Sequence, residues 1–408
     1  MNRPRTSTIA CALLGAVTMF LITAAALAGG PQSQSAAHGA FAELNSADAE
    51  AGFGNHERRW RVRCDRGETL ARALQKAREH DTIRFHGTCY ESIVITMDNL
   101  TLRGVAGATI DGSQSPSEAV VLIDGARNFE LTDFTVQNGA DQGILAINQS
   151  QGALRNVSAT NNGTVGLSVD RSHLDIENVT LDNNTTGGMD AYTASTVVAR
   201  GTVSANNNGG DGLAVNGKVF FELRGATVTA NGNGGSGVSI INESRLQIFS
   251  FPEAQGSTVT ADNNGFAGIG ILGSELGVVG SQYFGSGANV ISARNNFIFG
   301  FFMPAGAILS PHATAKFVAS GNGVGMLLED GASALIVGGL DLTQNGAGIS
   351  AHGAGTLTLV SVPPNPSTVD NNQIDLDLGF GTRLTSGGLA FTSIACDASV
   401  LARGASCP

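Results

Sequence analysis

The sequence predicts an all-β solenoid: parallel strands wound into about twelve coils of about 23 residues, with a short helix capping the N-terminal end. Three observations predict it. The chain holds 55 glycines and only 6% aromatic residues, so its core must be narrow and built from Val, Ile, Leu and Ala. Glycines followed by alternating apolar residues recur at Gly143, Gly166, Gly188, Gly212, Gly237, Gly268, Gly300, Gly325 and Gly348. Apolar pairs two apart lead, two residues on, to Asn161, Asn183, Asn207, Asn263 and Asn295.

The glycine thread steps by 23, 22, 24, 25, 31, 32, 25 and 23 residues. That period is too short for a pair of helices, and period-2 alternation belongs to strands. One repeat makes three short strands joined by turns. Stacking the repeats places equivalent residues over one another about 4.8 Å apart. Asn suits such a stack twice over, since it tolerates the left-handed backbone of a corner and its amide can bond to the amides above and below. Both roles are expected of Asn207. The thread breaks at Gly232 and slips by one residue at Asn322 and Asn345. Met189, Met303 and Met326 fall on inward positions and read as core.

Ahead of the repeats, "CDRGETLARALQKAREHD" sets Leu70, Ala73, Leu74 and Ala77 on one helical face, which predicts a helix over 68–79. Short strands follow, with Ile83 and Phe85 alternating before a Gly turn and Ile93 and Ile95 after it. Arg3 and Arg5 precede an apolar run that ends at Ala26-Leu27-Ala28, the pattern of a cleaved export signal. The expected organisation is a signal over 1–28, a flexible leader over 29–58, an N-terminal cap over 59–100, the solenoid over 101–377 and a C-terminal cap over 378–408. No later run is apolar enough to span a membrane after signal cleavage. Export predicts a secreted or periplasmic protein, where disulfides form. Cys64, Cys89, Cys396 and Cys407 then remain, and Cys64–Cys89 with Cys396–Cys407 is the most local of three possible connectivities.

Losing Arg3 and Arg5 with the signal takes the formal net charge from −11 to −13. That charge, without a basic patch in the pattern, excludes nucleic acid as the expected partner. The seven histidines have no metal-ligand spacing, and neither do the cysteines, so no metal is expected. The run "GGDGLA" is not a calcium nonapeptide, because that pattern needs Asp where Ala214 stands.

The opening "GETLARALQKAREHDTIRFHGTCYESIVITMDNLTLRG" (67–104) resembles the N-terminal cap of the pectate-lyase-like superfamily: a helix, an Asp-Thr-Ile strand, a Gly-Thr-x-Tyr-Glu turn in which Cys89 stands between Thr88 and Tyr90, then Asn-Leu-Thr-Leu-x-Gly. With the repeats, the resemblance covers roughly 59–377. It implies a right-handed parallel β-helix, and a substrate groove along the outer face of the sheet that the glycine thread enters. The superfamily contains lyases, hydrolases, epimerases, tailspikes and adhesins, so the resemblance implies a fold more sharply than an activity.

Alternation places Ser168, Asp190, Ala214 and Ser239 outward on that sheet, and two residues further on Asp170, Tyr192, Asn216 and Ile241, with Asp211 in the turn before its strand. Asp170, Asp190 and Asp211 are therefore the candidate catalytic carboxylates, with Asp170 and Asp190 expected roughly 8 Å apart. That spacing suits an inverting sugar hydrolase, or a Ca²⁺ site if the protein is a lyase; otherwise no cofactor is expected. Tyr192, Asn216 and Phe302 are the candidate binding residues. The later part of the face, with Leu272, Phe302 and Leu327, reads apolar, and is either covered by the insertions around 246–256 and 276–288 or left as a docking surface.

Against catalysis, the Asn-Thr-Asp, Gly-His-Gly and Arg-Ile-Lys motifs of pectin-type hydrolases and the Asp-Pro-His-Asp motif of alginate epimerases are all missing. The expected function is thus the binding of a polysaccharide or cell-surface glycan, with catalysis left open. A lyase or glycoside hydrolase is the first alternative, and a structural or adhesive rod the second.

Overall fold

A computed structural model describes residues 58–403, apart from 250–255, 280–288, 313–314, 354, 362–366, 388 and 390. The signal, nearly all of the leader and Cys407 lie outside the described residues. Residues 55–408 form one compact unit.

The described strands form two sheets, one of twenty strands and one of thirteen. Each coil adds one strand to the smaller sheet, so there are thirteen coils, one more than the repeat count suggests. The extra coil comes from 378–408: Ile394–Cys396 pairs in parallel with Ile374–Leu378, and Leu401–Arg403 with Arg383–Gly387. Rows of equivalent side chains follow from the register. Leu167, Met189, Leu213, Val238, Ile269, Phe301, Met326 and Ile349 form one inward column, and all are at most 1% exposed.

The two sequence threads turn out to be one structural feature. The amide ladder runs through the buried Asn162, Asn184, Asn208, Asn233, Asn264, Asn296, Asn322 and Asn345 to the half-buried Asn372, one residue after the thread positions Asn161, Asn183, Asn207, Asn263 and Asn295. Asn208 donates its backbone N–H (2.9 Å) and its Nδ2 (3.1 Å) to Oδ1 of Asn233, and accepts the same pair from Asn184. The preceding residue takes the left-handed backbone: Asn207 at φ 56°, Gly232 at 66°, Gly321 at 70° and Gln344 at 60°. Both roles assigned to Asn207 are therefore divided between Asn207 and Asn208. The division also removes the apparent break at Gly232 and the apparent slips at 322 and 345. The glycines are needed because the ladder fills their side-chain space. A Cβ on Gly212 would lie 2.6 Å from the Gly237 carbonyl oxygen and 2.7 Å from Asn233 Nδ2.

The capping helix is shorter than its apolar pattern, Leu70–Leu74. Thr69 caps its first turn, and the Glu91 carboxylate accepts from the N–H groups of Leu70 (2.6 Å) and Ala71 (3.0 Å). Cys64 and Cys89 form the expected disulfide, tying the cap to the strand Thr82–Cys89. Cys396 is also disulfide-bonded.

The ladder makes a divided prediction. Asn208→Ala strips the acceptor from two buried donors of Asn184 and costs about 2–4 kcal/mol, whereas Asn207→Gly keeps the corner and changes stability by less than about 1 kcal/mol. Urea-melt midpoints of the two variants check this.

Candidate functional site

The outward rows of the thirteen-stranded sheet hold the candidate residues on three successive strands, Val165–Asp170, Gly187–Tyr192 and Leu213–Asn216. In register, Ser168, Asp190, Ala214 and Ser239 form one row, and Asp170, Tyr192, Asn216 and Ile241 the next. Both rows stand where alternation put them.

Asp190, Tyr192, Asp211 and Asn216 line one open trough of about 960 Å³, together with Asn242 and the Lys218–Glu243 pair (3.5 Å). Asp211 is fixed at its floor. The Ser236 N–H donates to its Oδ1 at 2.7 Å, and the Ser239 hydroxyl donates as well. Gly235 leaves the space for this, since a Cβ there would approach that same Oδ1 to 2.3 Å. Burial nevertheless outweighs these bonds and raises the proton affinity of Asp211.

Asp190 is half-buried and has no hydrogen-bond or ion-pair partner among the described residues. Burial and, second, the charge of Asp211 push its pKa up to about 6. Tyr192 is also raised, by burial and then by Asp170 and Asp190. Such shifts in an open trough mark functional sites more often than ordinary surface.

The structure draws the candidate carboxylates together differently from the sequence. Asp170 keeps its expected place, one strand over and two residues along from Asp190, but it does not line the trough. It lies in register with Tyr192, and Arg171 holds its Oδ2 through Nε (3.2 Å) and Nη2 (3.0 Å). The coupled pair is Asp190 and Asp211. Alternation counted residues from the strand start and treated Asp211 as a turn, and so missed that the turn folds its carboxylate back under the next coil. Ser236 and Gly235 carried no signal of their own.

Phe302 lies outside the trough as well, four strand steps from Asp190 through Ala214, Ser239 and Gly270. That is about 19 Å at the spacing of parallel strands. Phe302 stacks on Phe299 (4.8 Å) and meets Phe266 edge-on (5.1 Å), in an outward apolar cluster with Ala267 and Leu327. Towards the far end of the sheet, His352 contacts Ser350 (3.1 Å) and Asp377 (3.4 Å) through Nε2.

Among the described residues, the grouping of three potential metal ligands is Cys64, Cys89 and Glu91, and its two cysteines are bonded to each other. No described helix is long and apolar enough to cross a membrane.

Residues 119–297 match the family model described as right handed beta helix region. That stretch is under half of the chain, and the described residues as a whole fold as a parallel β-helix. The fold implied by the resemblance of its cap and repeats is thus present. No curated protein matches it. Solved structures similar to this β-helix include the A-module of mannuronan C-5 epimerase AlgE6 from Azotobacter vinelandii, 15% identical over 85% of this chain and 89% of that one, with a TM-score of 0.43. Pectate lyase Pel9A is 12% identical over 78% of each chain, with a TM-score of 0.37. An alginate lyase from Paenibacillus sp. str. FPU-7 is 11% identical over 85% of this chain and 97% of that one, with a TM-score of 0.26. At these identities the likeness is one of fold.

The raised Asp190 predicts a pH-dependent stability gain. An unfolded Asp titrates near 3.9, about two units below the folded group, so folding holds the proton more tightly. The ionised side chain then costs stability on the order of 2–3 kcal/mol above pH 6, and nothing below pH 4. Asp190→Asn is therefore expected to be more stable than wild type by about that amount at pH 8 and equal to it at pH 4, as read by urea melts.

Proposed function

We propose that the trough binds a polysaccharide or cell-surface glycan laid along the β-helix axis. The observation that carries this reading is the trough itself: about 960 Å³, open, and spanning successive strands. Amides of Asn216 and Asn242, the Thr186 hydroxyl and the Asp190 and Asp211 carboxylates offer donors and acceptors to a hydroxyl-rich chain, and Tyr192 offers a ring. The Cys64–Cys89 disulfide supports an extracytoplasmic setting for that ligand.

A second reading is favoured by one specific observation. A carboxyl group with a pKa of about 6 beside a second, anchored carboxylate is the arrangement that general acid–base cleavage of a glycosidic bond requires. In that reading Asp190 gives its proton to the leaving oxygen and Asp211 activates the water. A lyase would need a base to take the substrate's proton, and the one cation lining the trough, Lys218, is paired with Glu243.

Affinity electrophoresis of the mature protein through a panel of neutral and acidic polysaccharides tests binding. Retardation by at least one glycan, weakened roughly tenfold in Tyr192→Ala, is the expected result; no retardation by any glycan overturns the proposal. The same panel, followed by reducing ends and absorbance at 235 nm with and without Ca²⁺, tests the second reading. Hydrolysis that declines as pH rises through 6 and vanishes in Asp190→Asn supports it. Absorbance at 235 nm would point to a lyase instead.

A further inference from the structure

The twenty-stranded sheet carries a feature that the trough does not explain. Residues 58–103 hold ten Lys and Arg against six Asp and Glu, in a chain of net charge −11. The strand Arg59–Arg63 reads Arg-Trp-Arg-Val-Arg, so alternation turns all three arginines to the exposed face. In register, Arg61 lies beside Arg84, and Arg84 beside Arg103. Three like charges thus sit on neighbouring strands, with backbones about 4.8 Å apart across the sheet. Like charges directly opposite are destabilising.

Elsewhere on this sheet the chain avoids such stacking. The same row continues through Thr132 to Arg155, Glu177 and Arg200, where the sign alternates. Arg155 bonds to both Glu130 and Glu177, and Arg200 to Asp175 at 3.0 Å. Arg245 has Glu275 beside it in register, at 3.2 Å. Of the three stacked arginines, Arg103 alone has a carboxylate partner among the described residues, Asp133 at 3.1 Å. Arg84 is half-buried, and its Nε is shielded from solvent without any hydrogen-bond partner. Beside it lies a cavity of about 340 Å³ lined by Arg84, Arg103 and Arg155 and by the threonines 82, 101 and 132.

We infer that Arg61, Arg84 and Arg103 form a binding site for an acidic glycan, one that carries a single carboxylate on each sugar unit. Each guanidinium presents a planar fork that grips a carboxylate in two bonds, and the strand spacing repeats that fork along the axis. A polymer with one charge per unit matches such a repeat better than a compact, multiply charged phosphate. Glu130 and Asp133 at the cavity rim add repulsion against denser anions. The arginine row lies on a different sheet from the trough, and its inference stands whether or not the trough binds glycan.

The test is calorimetric titration of the mature protein at low salt with oligogalacturonate and oligoguluronate. Neutral β-glucan oligosaccharide, inorganic phosphate and phosphatidylglycerol vesicles serve as alternative probes. The expected result is uronate binding that weakens with added salt and falls roughly tenfold or more in Arg84→Gln and in Arg61→Gln. Arg245→Gln, which removes an arginine of the same sheet that is paired with Glu275 and lines neither site, is titrated in parallel and is expected to match wild type. Any of three results overturns the inference: no uronate binding, arginine variants that bind uronate as wild type does, or a neutral, phosphate or vesicle probe that binds tighter than uronate and loses that binding in the arginine variants.

Discussion

Everything in this protein depends on one close contact, that between a buried asparagine amide and a glycine with no side chain. Asn233 Nδ2 sits where a Cβ of Gly212 would be, and Asn208 Nδ2 approaches the equivalent point of Gly188 to 3.0 Å. The pair locks each coil over its neighbour by bonds that satisfy every amide it buries. A one-residue slip would face a Cβ with that amide and turn each strand inside out. Register is therefore strict, and strict register converts a repeated sequence into rows on the surface. A functional site on such a scaffold is a short run of row positions that departs from what the repeat needs.

Two departures are visible, and they are physically alike. Asp190 and Asp211 bring like negative charges together at the floor of a trough, and the stack cannot relax them apart because their strands are fixed. Arg61, Arg84 and Arg103 bring like positive charges together on the other sheet for the same reason. Between them the surface balances its charges strand by strand, as at Arg245 and Glu275. Retaining an unpaired, half-buried carboxylate costs stability, which an ordinary solvated surface has no reason to bear.

Much of the fold was legible in the sequence because it follows from local rules repeated many times. The glycine steps, the alternation around Met189 and Met326, and the Gly-Thr-Cys-Tyr-Glu turn each pointed to the observed element. The asparagine thread was legible only to within one residue, because neighbours such as Asn207 and Asn208 offer the same side chain for two different tasks. The helix over 68–79 shrank to Leu70–Leu74 because Glu91, 21 residues from Leu70, decides where its cap lies. The site was legible in its rows but not in its pairing. Asp170 and Asp211 look equivalent in sequence, and what separates them is the reach of Arg171 on one side and of Ser236 on the other. The arginine row was hidden because Arg61, Arg84 and Arg103 are 23 and 19 residues apart, and only the paired register shows them to be neighbours.

The central claim is that Asp190 and Asp211 act on each other across adjacent coils. Carbon-detected NMR titration of the Asp190 carboxyl group tests it most directly, in wild type and in Asp211→Asn. The expected Asp190 midpoint is near 6 and falls when the charge of residue 211 is removed. A midpoint near 4, or one that Asp211→Asn leaves unmoved, would contradict it.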